Sequence, residues 1–424
     1  MANLQGKRII LGVTGSIAAY KALILLRLLQ EEGAEVTPVL TPAACQFVGP
    51  ASFAALAGRP AVTCFWESAQ QGAIDHVELA ARADLIVVAP ASANALAQLA
   101  HGLCSEALYA LCLSSLAPLV VCPAMESGMW AHAATKHNVA LLQQRGVHVV
   151  PPCCGPLASG RAGMGRLAAP QSTVEAVYHA LSHAQPDNPW RSQHVLVTAG
   201  PTRESFDPAR FVSNASTGKM GFALAQAALR RGACVTLVAG PTQVPLPLGF
   251  AAGLGASCVV PVETCAQMLA ACQEALPRST LLMMAAAPAD FAPAQPQAHK
   301  EKKSAYGASL QLQLQITPDI LKALRARTPS RLVVGFAAET DNLLAHAQQK
   351  VRDKDLDLLL VNRIGQPGAG FAADTNAGTL VCRQGTSTAL PTMHKAALAE
   401  AILDAVELQL RGRQTLLPRP PSGP

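Results

Sequence analysis

Short apolar runs that end in glycine or a small polar residue, each followed by a segment of helical period, recur along this chain. They constrain its fold more than any other feature. "RIILGVTGS" leads to "IAAYKALILLRLLQEEG", which closes on Gly33, and "AEVTPVLT" leads to a helix near 42–49. "ADLIVVAPAS" leads to "ANALAQLAHG", and "APLVVCPAM" and "GVHVVPP" follow. Strands apolar at successive positions are buried on both faces, and their alternation with helices means a parallel sheet covered on both sides. The rhythm pauses at the polar, two-proline stretch "SHAQPDNPWRSQ" (182–193) and restarts with "HVLVTAGPT", "KMGFALAQAALRRG" and "ACVTLVAGPT". Further strands are expected at "TLLMMAAAPAD", "RLVVGFAAET" and "DLLLVNRIG". The reading is α/β with two doubly wound domains, 1–189 and 190–410, and a Pro-rich tail, 411–424, expected to be disordered.

A chain of 424 residues fits two or three domains, and 50% apolar with 14% charged residues supplies buried cores rather than disorder. The net charge of +6 is modest, and its basic residues cluster only near 300–303 and 350–354. That implies local anion sites rather than a nucleic-acid groove. The twelve cysteines are scattered with no CxxC pair, and Gly12, Thr14, Gly15 and Ser16 interrupt the first apolar stretch as no signal peptide does. Reduced thiols in a cytoplasmic protein are expected. The uncharged stretch around Leu111 and Leu119 nears membrane-span length, but Pro118 and Pro123 break it into a short helix and a buried strand.

In open parallel sheets, ligands bind at the carboxyl ends of the strands. Small polar turns fall there at 12–16, 90–94, 123–130, 198–203 and 285–290. "GVTGSIAAYK" is not GxGxxG, so it reads either as a plain tight turn or as a phosphate-binding one through the N–H groups near Gly12, Gly15 and Ser16. His76 precedes "VELAARADLIVVAPASAN", and a glycine-rich stretch, "PPCCGPLASGRAGMGRL", occupies residues 151–167.

"APASAN", "PAM" followed by Met129–Trp130, and the glycine-rich stretch together resemble the flavin-dependent cysteine decarboxylases, specifically phosphopantothenoylcysteine decarboxylases. The resemblance implies a flavoprotein-type sheet and an FMN held by Gly15, Ser16, Thr41, Ser92, Ala93, Asn94 and Ser105. It implies oxidation of the substrate thiol to a thioaldehyde, whose C=S is the electron sink for loss of CO2. It places His76 in acid–base work and Met125, Glu126 and Arg166 against the substrate. In the family a flap cysteine, in the pattern Ala-Cys-Gly-Glu/Asp-x-Gly-x-Gly-Arg-Met, protonates the carbon. Here that register holds Ser159, with Arg161 for the acid; Glu126 replaces the asparagine of Pro-Ala-Met-Asn, and Ser105 stands where the first of two acidic residues is expected. A hydroxyl is a far weaker acid than a thiol. Three readings stay open: the reduction step is lost, Cys154 on the same flexible loop has taken over, or water is the donor.

In the second half, "TAGPTRESFDPARFVSNASTGKMG", "AAAPADF", "HKEKK" and "TPDIL" put small-residue turns, Asp290 and basic groups in one domain, with Lys350 and Lys354 on one helix face. The set resembles phosphopantothenate–cysteine ligases with a Rossmann-like fold. Joined to the first half as in the bacterial bifunctional coenzyme A biosynthesis proteins, the resemblance covers residues 6 to about 405. It implies CTP contacts at Met284, Ala285, Ala286, Asp290, Lys300, Pro318, Asp319, Ile320, Leu321, Phe336, Lys350 and Lys354, Mg2+ at Asp290, and Asn214 on an acyl-cytidylate. The implied small molecules are 4′-phosphopantothenate, cysteine, CTP and 4′-phosphopantothenoylcysteine, acted on by a homo-oligomer. Departures are Ala215 for arginine, Thr217 for serine, Pro288 for valine, Glu301 within the lysine run and Thr317 for asparagine. The alternatives are an active ligase with an impaired decarboxylase half, and a non-catalytic flavin-binding regulatory or assembly subunit. Retained Asn214, Asp290, Lys300, Lys350 and Lys354 speak against the latter.

Overall fold

The apolar runs form strands where their residues are buried on both faces. β1 (Arg8–Val13), β2 (Glu35–Leu40), β3 (Leu85–Ala91), β4 (Leu119–Pro123) and β5 (His148–Val149) make one wholly parallel sheet in the order 2-1-3-4-5. Every position of β3 is buried. The helix Tyr20–Glu31 buries Ala22, Leu25, Leu26 and Leu29, spacings of three and four that line one face. It stops at Gly33, whose φ of +91° brings its N–H to Gln30 O at 2.9 Å. The coordinates are a computed structural model that describes residues 4–64, 75–302, 310–328, 331–339, 343–363 and 373–416. They fall into two units: Met1–Asn188 with Arg230–Gly232 and Leu248–Gly255, and the remainder from Pro189 on.

Two expectations for the first unit change. The helix near 42–49 is two: Pro42–Cys45, capped by Thr41, and Pro50–Ala57, which starts afresh because Pro50 sits at its first position. The polar stretch 182–193 holds ordered structure. The helix Pro170–Ala184 runs into it, and Trp190 is 1% exposed with its indole N–H donating to Glu407 at 2.9 Å. The glycine-rich stretch is not a loop but an antiparallel hairpin of β6 (Cys153–Pro156) and β7 (Ala162–Arg166).

In the second unit, β8 (His194–Ala199) is followed by a small antiparallel pair, β9 (Arg203–Asp207) and β10 (Arg210–Ser213). β11 (Cys234–Ala239), β12 (Cys258–Pro261) and β13 (Leu281–Met284) come next, then a second antiparallel pair, β14 (Phe291–Pro293) and β15 (Leu314–Ile316). β16 (Leu332–Glu339), β17 (Leu358–Arg363), β18 (Thr375–Cys382) and β19 (Ser387–His394) complete an eight-stranded sheet ordered 12-11-8-13-16-17-18-19. The first six strands of that order are parallel, as a doubly wound fold requires, but β18 and β19 run antiparallel. The sheet is therefore mixed. Short connections leave no room for a crossover helix between β18 and β19. The expected tail also begins later: the helix from Lys395 runs to Leu416, and Arg411 pairs with Glu407 four residues back at 2.8 Å. Residues 417–424 lie outside the described residues.

Candidate functional site

Sheet order places a switch point between β1 and β3 in the first unit and between β8 and β13 in the second, and each has a cavity at the strands' carboxyl ends. In the first, Thr14 ties the two turns together. Its hydroxyl donates to Pro90 O at 2.8 Å and accepts from Ser92 N at 2.9 Å. Ser16 and Ser92 each cap the helix that follows, accepting from Ala18 N and Ala95 N at 3.2 Å. Beside them lies a cavity of about 600 Å³, with Gly15, Ser16, Ser92 and Ala93 on one side and Met125, Glu126 and Arg166 also in its wall. Ile17, Met129, Leu157 and Leu167 supply apolar surface.

The structure does not bring every expected flavin residue to this wall. Thr41 is buried, capping its own helix through Ala44 N at 3.1 Å. Asn94 is exposed outside the lining, and Ser105 donates to Gln98 at 2.9 Å. His76 lies in the first turn of the helix Asp75–Arg82, and its side chain lies outside the described residues. Lys21 was missed and does line the cavity. Its ammonium is pushed below the usual lysine range by burial and then by the Arg166 guanidinium, with the Cys153 thiol opposing. A lysine one turn into a helix that follows a glycine turn was a legible anion-site signal.

Ser159 and Glu126, two departures from the family pattern, touch each other. The hydroxyl donates to Glu126 Oε2 at 3.0 Å, and Ser127 donates to the other oxygen at 3.5 Å. The hairpin is docked by its glycines: Met125 N donates to Gly165 O at 3.0 Å, and a Cβ on Gly165, whose φ is +149°, would sit 2.2 Å from Met125 O. Cys154 sits on β6 opposite Met164, exposed and not among the cavity-lining residues.

In the second unit, a cavity of about 610 Å³ gathers Met284, Ala285, Ala286 and Asp290 from the β13 end with Pro318, Asp319, Ile320 and Leu321. Phe336, Lys350, Lys354 and Asn214 complete the expected set round it. Threonines fix its backbone: Thr198 accepts from Ala286 N at 3.2 Å, Thr202 accepts from Ala289 N at 2.9 Å, and Thr317 donates to Ala289 O at 2.6 Å. Lys300 is exposed and outside the lining, and its neighbour Glu301 is held by Asp207 (N to Oδ2, 3.2 Å). Arg210, ahead of the Asp207 loop's own N–H groups, keeps the Asp207 carboxyl well below the usual range. Asn214 differs from expectation in its bonding. Its amide nitrogen donates to Ala287 O at 3.3 Å and Pro288 O at 2.8 Å, so it braces the turn. Lys354 pairs with Asp319 at 3.3 Å, and Asp319 also caps the helix Ile320–Arg325 through Lys322 N at 3.0 Å.

The residues fit the groups the sequence implied. Two cations, a helix-capping serine at a nine-residue helix and an apolar wall suit a flavin phosphate and ring. Among the described residues no group of three or more His, Cys, Asp or Glu side chains could hold a metal ion alone. Asp290 and Asp319 in one wall suit Mg2+, which takes one or two carboxylates and its remaining ligands from phosphate and water. Among the described residues no helix is long and apolar enough to cross a membrane.

The Flavoprotein family matches residues 1–182, and the DNA/pantothenate metabolism flavoprotein C-terminal domain family matches residues 190–409. The coenzyme A biosynthesis bifunctional protein CoaBC of Bacillus subtilis is 39% identical over 403 residues, covering 95% of this chain and 97% of that one. That of Escherichia coli K12 is 40% identical over 406 residues, covering 95% and 97%. A crystal structure of the C-terminal domain of a CoaBC protein covers 53% of this chain and 100% of its own, at 34% identity and a TM-score of 0.44. By these matches along nearly its whole length, the chain belongs to the bifunctional coenzyme A biosynthesis proteins, enzymes that join a decarboxylase half to a ligase half.

Proposed function

We propose that the second unit ligates cysteine to 4′-phosphopantothenate with CTP and that the first decarboxylates the resulting 4′-phosphopantothenoylcysteine with FMN. The observation that carries the reading is the second cavity, round which every expected nucleotide residue except Lys300 gathers. The substrate carboxylate attacks the α-phosphorus of CTP, pyrophosphate leaves, and the cysteine amine then displaces CMP from the acyl-cytidylate. Lys350 and Lys354 neutralise charge on the phosphates, with Lys354 exchanging Asp319 for the nucleotide. Asp290 and the phosphates hold Mg2+. Lys300 approaches only if its segment leaves the cavity's outside.

In the first unit, Gly15, Ser16, Ser92 and Ala93, with Lys21 and Arg166, hold FMN and substrate anions. An FMN held there would supply the hydride chemistry, taking one from the thiol-bearing carbon before CO2 loss and giving it back afterwards. His76 does acid–base work on the substrate thiol, and Met125 and Arg166 orient the substrate. The enzyme is read as a cytoplasmic homo-oligomer with domains 1–189 and 190–410.

Incubating the protein with 4′-phosphopantothenate, cysteine and CTP tests the reading. Pyrophosphate, CMP, CO2 and 4′-phosphopantetheine are expected in equal amounts. Finding no pyrophosphate overturns the ligase assignment, and ATP replacing CTP without loss of rate overturns the assignment of CTP.

A further inference from the structure

Every decarboxylation leaves an electron pair that must end as a C–H bond, so some group has to deliver a proton to the vacated carbon. The first cavity has few such groups. Its titratable lining side chains are Tyr20, Lys21, Glu126 and Arg166. Tyr20 and Arg166 are poor acids near neutrality, which leaves Glu126 and Lys21, whose ammonium burial has pushed down. Glu126 is the single carboxyl group, and no thiol or histidine lines the wall among the described residues. Its side chain is held from two sides, by Ser159 at 3.0 Å and Ser127 at 3.5 Å. The turn that carries it is locked to the hairpin by the Met125–Gly165 hydrogen bond and by Gly163, where an added Cβ would lie 2.9 Å from Ser127.

We infer that Glu126 is the proton donor to the carbon that loses CO2, and that Ser159 is its positioning residue. The inference rests on the decarboxylase reading given above. A free glutamate is ionised at pH 7 and has no proton to give. A substrate carboxylate docked in the same cavity changes that, because two carboxylates side by side favour sharing one proton. Glu126 therefore takes a proton from solvent as the substrate binds, which also removes the repulsion between the two groups. A bound flavin would supply the two-electron oxidation that turns the CH2–SH of the substrate into C=S. The C–CO2 bond breaks, and its electron pair passes through the new C=C bond onto sulfur as an enethiolate. The enethiolate carbon then forms a bond to the Glu126 proton, restoring C=S and the ionised carboxylate. The reduced flavin would supply the hydride back to the C=S carbon, and the thiolate recovers a proton from solvent. One proton is consumed and one CO2 released, as the overall reaction requires.

The test uses the flavin-loaded full chain. Calorimetry of 4′-phosphopantothenoylserine, a hydroxyl analogue carrying the same carboxylate, is run at pH 7 in two buffers of different ionisation enthalpy. Uptake of about one proton is expected for the native protein and near none for Glu126→Gln. With the true substrate, Glu126→Gln is expected to release CO2 yet accumulate a product two mass units lighter than 4′-phosphopantetheine. Its saturated product should fall by about 100-fold or more. Ser159→Ala should keep the proton uptake but raise the unsaturated fraction, with Ser159→Thr restoring it. A native protein that releases no CO2 overturns the decarboxylase reading and this inference with it. CO2 release with Glu126→Gln still yielding saturated product overturns the inference alone. Loss of saturated product in Cys154→Ala, with Glu126→Gln unaffected, transfers the role to the thiol.

Discussion

The two cavities are almost equal in size, about 600 and 610 Å³, and sit at equivalent switch points, yet they tolerate sequence change differently. Part of the second-unit cavity is framed by backbone groups. Ala285, Ala286 and Pro318 have no side chain that does chemistry, and Thr198, Thr202 and Thr317 fix the peptide groups round them. Departures such as Pro288 or Thr317 leave that frame intact, because a proline still offers its carbonyl and a threonine still donates. The first-unit cavity instead carries charged side chains in its wall, Lys21, Glu126 and Arg166, and there the departures fall on Glu126 itself and on Ser159, which bonds to it from outside the lining.

That contrast can be sharpened by experiment. The largest effect is expected in thiol reactivity. Burial pushes Cys122 and Cys272 up to about 12, whereas Cys64, Cys104, Cys153 and Cys154 are exposed. A raised thiol pKa lowers the thiolate fraction at pH 8, so the buried two should alkylate roughly a thousand-fold more slowly than the exposed four. Mass mapping of alkylated peptides over time checks it. Equal rates for Cys122 and Cys154 would mean that the first unit opens.

Gly165→Ala forces a Cβ against Met125 O at a φ of +149° and should cost the hairpin's docking about 2–3 kcal/mol. Flavin absorbance of the purified protein should drop while CTP-dependent pyrophosphate release stays. A variant that loses both would show that the two cavities do not fail separately. Asp290→Ala is the converse. Pyrophosphate release should fall by about 100-fold, the scale for removing one charge-stabilising group, while CO2 release from added 4′-phosphopantothenoylcysteine persists. Smallest is Asp319→Asn, which keeps the cap on Lys322 but removes the ion pair to Lys354. The pair is partly exposed, so the KM for CTP should fall by no more than about five-fold. A rise in KM would mean that Asp319 itself binds the nucleotide or its metal.

Much of both units was legible. The helix Tyr20–Glu31 and its stop at Gly33 follow from apolar spacing and one glycine, and β3 from an unbroken apolar run. The turns at Gly15–Ser16 and Ser92–Ala93 were placed because small residues after a strand mark its carboxyl end. Other features were not legible. Thr41 and Ser105 look like site residues by motif but satisfy hydrogen bonds within their own segments. Asn214 was expected to donate to a ligand but donates to the Ala287 and Pro288 carbonyls 73 and 74 residues away. The antiparallel β18 and β19 lack the apolar runs of the parallel strands, β19 being exposed or half-buried along its length, so neither was read from the sequence.

The sequence by itself determined the periodicities, the helix stops, the two α/β units and the small-residue turns at the strands' carboxyl ends. All of these depend on residues within a few positions of one another. The tertiary structure alone decided which polar side chains are spent on the fold and which face a cavity. It brought Ser159 onto Glu126 across 33 residues and left Cys154 outside, because the partner of a hydrogen bond is set by where the chain folds back.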